Sequence, residues 1–451
     1  MIKNPIDLFD VVGPVMIGPS SSHTAGAAKI GYTAYELLQE EPTRIRIKLY
    51  NSFTDTGKGH KTDLALLGGC LGMQPDDENL ALAAGIARNK KIDFKIKWNY
   101  HSEDLHPNTA IIDLRGKKNK VSLVGYSIGG GRIKIHKQKL EIKQPAEKSS
   151  ATQSNSAKKI KAGNNYYTFQ QIKNSANTGK QFLKLALETQ ADHFQQTPEE
   201  ILQEFARRWA IMVQSIDKGT SSRKRSEDQM FGGDSYRIRR SKLNVLSRVI
   251  ENGIFYSVGV AEHNAKMGKI VAAPTAGACG IMPGILRAMQ EKFQFSDQNM
   301  AEALAIAAAV GATIANKVAL AGAVAGCQAE IGAAGTMTAA AGVYLLGGKV
   351  SQMEAAASLV LANVLGLTCD PVMGRVEVPC ILRNGMIASM SFAAIELGLD
   401  NVKYSIPFDE VINVMGKVGK DMRDIYKETS KGGLAQTQTA RTLCRSCGAC
   451  G

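Results

Sequence analysis

Aromatic side chains are scarce in this chain of 451 residues, and no recognised nucleic-acid-binding motif is present. Aromatic residues make up 6% of the sequence, whereas it contains 44 glycines. Few large rings and many glycines favour closely packed helices and tight backbone turns. A hydrophobic content of 44% and a charged content of 21% are typical of a globular protein. The length is sufficient for two or three domains.

The first residues, MIKNPIDLFD, lack the basic segment and apolar core of a secretory signal peptide. We therefore expect a cytoplasmic protein, in which disulfides are uncommon. The eight cysteines are then interpreted as metal ligands, reactive thiols or core residues. The apolar stretch 301–348 consists largely of alanine and glycine, and Lys317 and Glu330 interrupt it. Because alanine contributes little to membrane insertion, we predict buried helices and no membrane partner.

The formal net charge of +14 is compatible with a nucleic acid, an anionic membrane or a small acidic ligand as partner. Much of the excess lies at 132–180 and 223–242. We interpret it as a solvated surface and predict no nucleic-acid partner. The non-enzymatic alternative is a basic metal-binding or nucleic-acid-binding protein, which salt-dependent binding without catalysis would reveal.

Periodicity divides the chain into four parts. Residues 1–140 alternate strand and helix patterns and predict an α/β domain. Residues 141–165 are polar and rich in serine and lysine, which predicts a linker. Residues 166–430 have helical spacing and predict a mostly α-helical domain, followed by a cysteine-rich tail at 431–451. The predicted fold class is α+β, and later helices are expected at about 240–268, 281–293, 299–321, 330–346, 351–366, 385–398 and 408–426.

Two polar loops in the first part contain candidate site residues. GPSSSHTAG, at 18–26, precedes a predicted helix, and hydroxyls and amides at a helix start suit a carboxylate. The alternative is a capped loop in which the histidine only donates structural hydrogen bonds. The candidates here are Ser20, Ser21, Ser22, His23 and Thr24.

TDTGKGHKTD, at 54–63, contains Lys58 and His60 between glycines. A lysine near a histidine favours the neutral, basic imidazole that a general base requires. The alternative is an exposed turn. HPNT, with His106 and Asn108, is a weaker polar cluster.

In the second part, AAPTAGACG at 272–280 places Thr275 and Gly277 in a turn that leads into a helix. Cys279 in this turn is equally compatible with a small core residue.

Three cysteines occur in Gly- or Pro-interrupted segments, namely Cys327 in GCQAEIG and Cys369 and Cys380 in CDPVMGRVEVPC. Three thiolates can hold three corners of an iron–sulfur cube and leave the fourth iron open to substrate. Their spacing matches neither ferredoxin nor zinc-finger patterns, so buried structural cysteines are the alternative. Prolines at 371 and 379 keep the intervening segment out of a helix.

Taken together, these motifs resemble the iron–sulfur-dependent L-serine dehydratases. GPSSSHTAGAAKIG, FTDTGKGHKTDLALLGGCLG, HPNT and GYSIGGGRI are similar to the β portion of that family. AEHNAKMGKIVAAPTAGACGIMPGIL, GCQAEIG, NVLGLTCDPVMGRVEVPCILRN and KETSKGGLA are similar to its α portion. The resemblance covers nearly the whole chain except the linker and the last dozen residues.

The resemblance implies a [4Fe–4S] cluster on Cys327, Cys369 and Cys380, with Cys450 as a resting-state ligand for which Cys444 and Cys447 compete. It implies His60 as catalytic base and a β domain like the allosteric substrate-binding domain of some phosphoglycerate dehydrogenases. Implied substrate contacts are Ser20, Ser21, Ser22, His23, Thr24, Lys58, His106, Asn108, Thr275 and Gly277.

The expected substrate is L-serine and the expected assembly is a homodimer. The alternative within the same chemistry is another cluster-dependent lyase, such as a cysteine desulfidase or a hydroxy-acid dehydratase, which a substrate panel separates. A pyridoxal-phosphate enzyme is disfavoured because no lysine followed by a Gly-rich phosphate loop is evident. The family leads us to expect small residues at Met373 and Arg375 and a smaller polar residue at Arg132.

Overall fold

The computed structural model of the chain describes residues 6–141, 166–226, 230–241 and 245–447. Within these ranges a mixed β-sheet with packed helices is followed by a mostly helical part. The α+β prediction is therefore confirmed. The predicted linker lies outside the described residues except at residue 141, where the last strand of the large sheet ends.

The described strands belong to a five-stranded and a two-stranded sheet. They are β1 (Val15–Ile17), β2 (Arg44–Asn51), β3 (Asp93–Tyr100), β4 (Asn108–Arg115), β5 (Lys120–Gly129), β6 (Arg132–Glu141) and β7 (Lys269–Val271).

The α-helices vary from single turns to 24 residues. They are α1 (Leu8–Val11), α2 (Gly26–Leu38), α3 (Ser52–Asp55), α4 (Thr62–Cys70), α5 (Ala83–Asn89), α6 (Phe169–Ser175), α7 (Gly179–Phe194), α8 (Pro198–Ser221), α9 (Asp234–Arg239), α10 (Arg248–Ala265), α11 (Ile281–Phe293), α12 (Asp297–Ala315), α13 (Gly322–Ala325), α14 (Ile331–Leu345), α15 (Val350–Asn363), α16 (Cys380–Leu399), α17 (Phe408–Asp421) and α18 (Gln438–Cys447).

The large sheet has the strand order β3-β2-β4-β5-β6. Only the β2–β3 pair in it is parallel, and the other neighbours are antiparallel. Alternation in β2 buries Ile45 and Ile47 beneath the helices, whereas Arg44 points to the exposed face. Strand β3 was not predicted from the sequence, although its segment DFKIKWNY alternates polar with apolar residues.

The core of the helical part is built from small residues. Nearly every side chain of α12 and α14 is buried. A Cβ atom on Gly335 would stand 2.6 Å from Ile387 Cγ2, so this glycine allows α14 and α16 to approach closely. Helices α12 and α16 are long and apolar enough to span a membrane by length and composition, a test that the core helix of a globular protein also passes.

Several helix boundaries differ from the predicted ones. Helix α12 ends at Ala315 and not near residue 321, and Lys317, just beyond its end, pairs with Asp409 at 2.8 Å. Helix α16 begins at Cys380, five residues earlier than expected, directly after Pro379. A proline lacks the N–H that a helix interior requires, so a helix can start immediately behind it. The cysteine-rich tail, for which no helix was predicted, contains α18.

The first described residues connect the two parts of the molecule. Leu8 and Val11 are buried in the helical core, and β1 pairs with β7 in antiparallel register, with Val15 opposite Val271. The serine-rich loop follows β1 directly, so this pairing brings it to the surface of the helical part.

Candidate active site

The serine-rich loop is fixed by its own side chains. Its centre, Ser21–Ala25, forms one turn of π-helix, and the N–H of His23 donates to Ser20 Oγ at 3.1 Å. Thr24 Oγ1 accepts from the N–H of Ser20 at 3.1 Å and donates to the carbonyl of His60 at 2.7 Å. The two histidine-bearing loops predicted from the sequence are thus hydrogen-bonded to each other.

The rings of His23 and His60 lie 4.7 Å apart between centroids. His23 is satisfied on both sides, by Ser52 Oγ at 2.9 Å and Ser22 Oγ at 3.0 Å. In contrast, neither ring nitrogen of His60 has a hydrogen-bond partner among the described residues, although the side chain is fully buried. An unpartnered buried imidazole is available to a ligand.

Burial lowers the pKa of His60 to about 4. Burial, together with the neighbouring His60, also lowers the pKa of His23 well below its usual value. Both rings are therefore neutral at pH 7. The predicted cause was wrong, because Lys58 is exposed and desolvation, not the lysine, produces the shift at His60.

A cleft of about 80 Å³ lies between the two parts of the molecule. It brings together five of the predicted substrate-binding residues, namely Ser21, Ser22, His106, Asn108 and Thr275. Other predicted residues are not on its wall: Ser20, His23, Thr24 and His60 are buried behind it, Lys58 is exposed, and Gly277 contacts Asn384. Asn108 Oδ1 and Thr275 Oγ1 are buried without a hydrogen-bond partner among the described residues.

Two asparagines that the sequence analysis did not select join these loops. Asn264 Nδ2 donates to the carbonyls of Pro19 and Ala276, each at 3.0 Å, and so connects the serine-rich loop to the PTAG turn. Asn384 Nδ2 donates to the carbonyls of Gly277 at 2.9 Å and Cys380 at 2.7 Å. Both asparagines lie within motifs quoted above, Asn264 in AEHNAKMG and Asn384 in CILRN, and could have been selected for that reason.

Three cysteine side chains meet behind the cleft. Cys327 Sγ, Cys369 Sγ and a carboxylate oxygen of Glu330 lie within 4.8 Å of one another, a group that could hold a metal. Cys380 is close enough to hydrogen-bond with Cys327. All three cysteines are buried and none forms a disulfide.

Cys327 differs in acidity from the other buried cysteines of the described chain, whereas the hydrogen bond to Cys327 and then burial raise the pKa of Cys369 and of Cys380 well above its usual value. Hydrogen bonds from Cys369 and Cys380, and then the charge of Arg383, hold the pKa of Cys327 well below its usual value. Burial alone raises the pKa of Cys70, and burial likewise raises that of Cys279. A low pKa marks Cys327 as a thiolate, the form that binds metal. Cys279 therefore fits the core alternative.

Arg383 holds the cysteine loop in place. Its Nη1 atom lies 3.4 Å from Cys327 Sγ and donates to the carbonyl of Thr368 at 2.9 Å, while Nη2 pairs with Asp370 at 3.0 Å. Asp370 in turn accepts the N–H of Leu434 at 2.8 Å, which ties the start of the tail to this loop. Arg383 lies three residues after Cys380 on α16, a helical spacing that places it near that cysteine on the same side of the helix.

The segment that carries His60 and the segment between Cys369 and Cys380 are in direct contact. A Cβ atom on Gly59 would stand 2.6 Å from the carbonyl oxygen of Gly374, and one on Gly374 would stand 3.1 Å from Thr56 Cβ. Gly374 also has a φ of +66°. Glycine at 59 and 374 therefore permits the segment carrying His60 to pack on the segment between Cys369 and Cys380.

The unusual residues of the cysteine loop are accommodated locally. Met373 adopts a φ of +59°, the left-handed region in which a small residue is favoured. Arg375 forms an ion pair with Glu377 at 2.9 Å. Neither side chain is a member of the thiol group. Cys450 lies outside the described residues, and so do the side chains of Cys444 and Cys447.

Two carboxylates that were not selected from the sequence face the cleft, Glu330 and Glu428. Burial, followed by repulsion from Glu428 and Cys327, raises the pKa of Glu330 well above its usual value, and burial and Cys327 raise that of Glu428 to about 7. Thr275 Oγ1 lies close to Glu330 and opposes this rise in the pKa of Glu330. The two side chains nevertheless form no hydrogen bond of ordinary length. No lysine or arginine is among the described residues that line the cleft.

Comparison with known proteins agrees with this architecture. The family model described as serine dehydratase beta chain matches residues 6–138, and the one described as serine dehydratase alpha chain matches residues 177–435. These ranges coincide with the sheet-containing part and most of the helical part.

Curated relatives include L-serine dehydratase TdcG of Escherichia coli, which is 33% identical over 95% of this chain and 98% of its own length. L-serine dehydratase of Helicobacter pylori strain J99 is 31% identical over 93% of this chain and 96% of its own. The probable L-serine dehydratase alpha chain of Bacillus subtilis is 40% identical over 55% of this chain and 84% of its own. The chain therefore belongs to the serine dehydratase family of lyases, with its beta-chain and alpha-chain regions fused in one polypeptide.

Proposed function

We propose that the chain converts L-serine to pyruvate and ammonia, and that a [4Fe–4S] cluster on Cys327, Cys369 and Cys380 is its cofactor. The observation that carries the proposal is the convergence of these three thiols behind a cleft lined by both parts of the molecule. Relatives named L-serine dehydratase that align over nearly the full length support the same substrate.

The donor set fits the proposed cofactor. Iron–sulfur clusters are held mainly by cysteine thiolates, and here a buried thiolate has two further thiols as immediate neighbours. When bound, a cluster with one iron free of protein thiolate supplies a Lewis acid for the hydroxyl of the substrate. Cys450 stays the proposed fourth thiolate of the resting protein.

The cleft residues would bind and orient the amino acid. The hydroxyls of Ser21, Ser22 and Thr275 and the Nδ2 group of Asn108 line the cleft and can donate hydrogen bonds to a carboxylate. Fixing the carboxylate fixes the direction of the Cα–H bond. Such positioning is a large part of enzymatic rate acceleration.

His60 is the proposed base for the Cα proton, a role that requires the substrate to reach past the lining residues, since the buried ring is not part of the cleft wall. Its ring is neutral at pH 7, and both of its nitrogens lack partners among the described residues, whereas both nitrogens of His23 are engaged. Abstraction of the Cα proton with loss of the β-hydroxyl as water gives aminoacrylate. This product tautomerises to the imine and hydrolyses in solution to pyruvate and ammonia.

The test is an anaerobic assay without pyridoxal phosphate. Purified protein with bound iron and sulfide is incubated with L-serine, L-cysteine and a hydroxy acid such as malate, and pyruvate, sulfide and fumarate are measured. We expect pyruvate from L-serine as the dominant product. Sulfide from L-cysteine at a higher kcat/KM would instead identify a cysteine desulfidase. Turnover only after addition of pyridoxal phosphate would contradict the cluster mechanism.

A further inference from the structure

The proposed function leaves the α-ammonium group of the substrate without a partner. Hydroxyls and an amide suit its carboxylate, and the thiol group lies toward its hydroxyl. A compound with the same carboxylate and hydroxyl but no ammonium would meet these contacts equally well. Selection for an amino acid therefore requires a further group in the cleft.

Glu428 and Glu330 are the two carboxylates among the described residues that line the cleft. The described lining residues include no lysine or arginine that could pair with them. A carboxylate without a cationic partner can accept the N–H groups of a bound ammonium ion.

The backbone of Glu428 adopts a conformation that is unfavourable for a non-glycine residue. Its φ is +60°, in the left-handed region that a non-glycine residue rarely adopts. The N–H of Glu428 donates to the carbonyl of Cys369 at 2.8 Å, and the N–H of Cys369 donates to the carbonyl of Tyr426 at 2.9 Å. The backbone of Glu428 is thereby fixed relative to Cys369, and its carboxylate accepts a hydrogen bond from the backbone of Ala323.

A lining residue from the sheet-containing part of the molecule gives independent evidence for a ligand in the cleft. Asn108 Oδ1 lies on the sheet-containing part, is 5% exposed as a residue, and has no hydrogen-bond partner among the described residues. A buried acceptor without a partner is costly, which indicates that a ligand or water completes it. Asn108 Oδ1 can receive a hydrogen bond only from a donor group of a ligand, and Glu428 and Glu330 line the same cleft from the helical part.

We propose that Glu428, with Glu330 beside it, binds the α-ammonium group of the substrate and makes the site specific for amino acids over hydroxy acids that lack this group. The inference rests on the proposed function. It assigns substrate specificity to Glu428, which was not among the site residues predicted from the sequence. Glu428 is the residue to test, because Glu330 lies 3.9 Å from Cys369 Sγ and its replacement would also disturb the thiol group.

The experiment compares L-serine with 3-hydroxypropanoate, which retains the carboxylate and the β-hydroxyl but has no ammonium. Glu428→Gln is expected to raise KM for L-serine about tenfold or more, with a smaller change in kcat. The inhibition constant of 3-hydroxypropanoate should stay within about twofold of the original value. Glu396→Gln, an exposed residue of α16, is the matched control and should change neither.

A second measurement does not depend on turnover. The rise in thermal unfolding temperature that each ligand produces is recorded for the anaerobic protein before and after substitution. Glu428→Gln should lose the rise with L-serine and keep that with 3-hydroxypropanoate. Equal loss for both ligands would show that Glu428 only maintains the structure, and unchanged discrimination would overturn the assignment.

The experiment also distinguishes a variant that does not fold and a protein that binds L-serine without turnover. If Glu428→Gln does not fold, Glu428→Asp replaces it: this variant retains the negative charge, so it should still favour L-serine over 3-hydroxypropanoate, and loss of that preference with an unchanged cluster absorbance would contradict the proposal. If the unmodified protein forms no pyruvate yet L-serine stabilises it through Glu428, the proposed reaction fails while the ammonium site stands.

Discussion

Gly322 lies so close to Cys369 that a Cβ atom on this glycine would stand 2.9 Å from the cysteine Sγ atom. It would also meet a carboxylate oxygen of Glu330. Separations under 3.0 Å are not tolerated between such atoms, so one of the groups must move. The packing around the thiols therefore depends on the absence of a side chain at position 322.

Gly322→Ala is expected to reduce iron and sulfide bound per chain, because displacement of Cys369 spoils the thiol group. The iron content and visible absorbance of anaerobically purified protein measure this. Gly85→Ala is the control, since a Cβ atom there meets nothing within 4 Å. Helix α5 should gain about 0.5–1 kcal/mol from that change without loss of iron. Full iron content in Gly322→Ala would contradict the tight packing.

His60→Ala should abolish turnover while the cluster absorbance stays. General acid–base catalysis contributes about 10²–10⁴-fold to a rate, so pyruvate formation should fall by at least that factor. The control is His101→Ala, because His101 pairs with Asp55 in an exposed position. Near-normal turnover in His60→Ala would remove it as the base, and loss of bound iron would indicate a structural role.

The stability of the protein should fall as the pH drops from about 6.5 to about 4. The folded-state pKa of His60 is about 4, below the ordinary value of 6.5, so the unfolded chain binds a proton that the folded one excludes in this interval. Linkage then lowers the free energy of unfolding by about 2 kcal/mol between pH 7.5 and pH 5. Burial of His23 acts in the same direction.

Chemical denaturation at pH 7.5 and pH 5 measures this effect. His60→Gln removes the titrating group, so the pH-dependent part of its free energy of unfolding should be smaller by about 2 kcal/mol. An equal pH dependence in both proteins would show that the His60 ring is not buried in its neutral form.

The acidity of Cys327 should depend on Arg383. Hydrogen bonds from Cys369 and Cys380 lower the pKa of Cys327 most, and the charge of Arg383 lowers it further. Arg383→Met should therefore raise this pKa, whereas Arg383→Lys retains the charge and should raise it less. The ultraviolet absorbance of the thiolate during pH titration of iron-free protein measures the shift. A larger shift in the lysine variant than in the methionine variant would contradict the electrostatic explanation.

Sequence patterns predicted the fold class and most helices of the second part, because alanine-rich helical spacing is long and regular there. They missed β3, where alternating lysines define a half-exposed strand at the edge of the sheet. Motifs also identified the three cysteines and the two histidine loops. The reason given for the neutral His60 was wrong, since burial is a tertiary property that the nearby lysine does not reveal.

The missed site residues are those whose role depends on contacts between distant segments. Glu428 faces the cleft only because its backbone pairs with Cys369, and Asn264 matters because it joins Pro19 to Ala276. Neither contact follows a regular spacing along the sequence. Arg383 and Asn384 are different, since they follow Cys380 at helical spacing and could have been selected on that ground.

The proposed reaction requires that the three thiols share one cluster. Single replacements of Cys327, Cys369 and Cys380 by alanine, with Cys70→Ala as the control, can be compared by iron and sulfide content after anaerobic reconstitution. We predict about four irons per chain for the original protein and the control, and loss of the visible absorbance together with pyruvate formation in each of the three variants. Full absorbance and activity in any one of these three would contradict it.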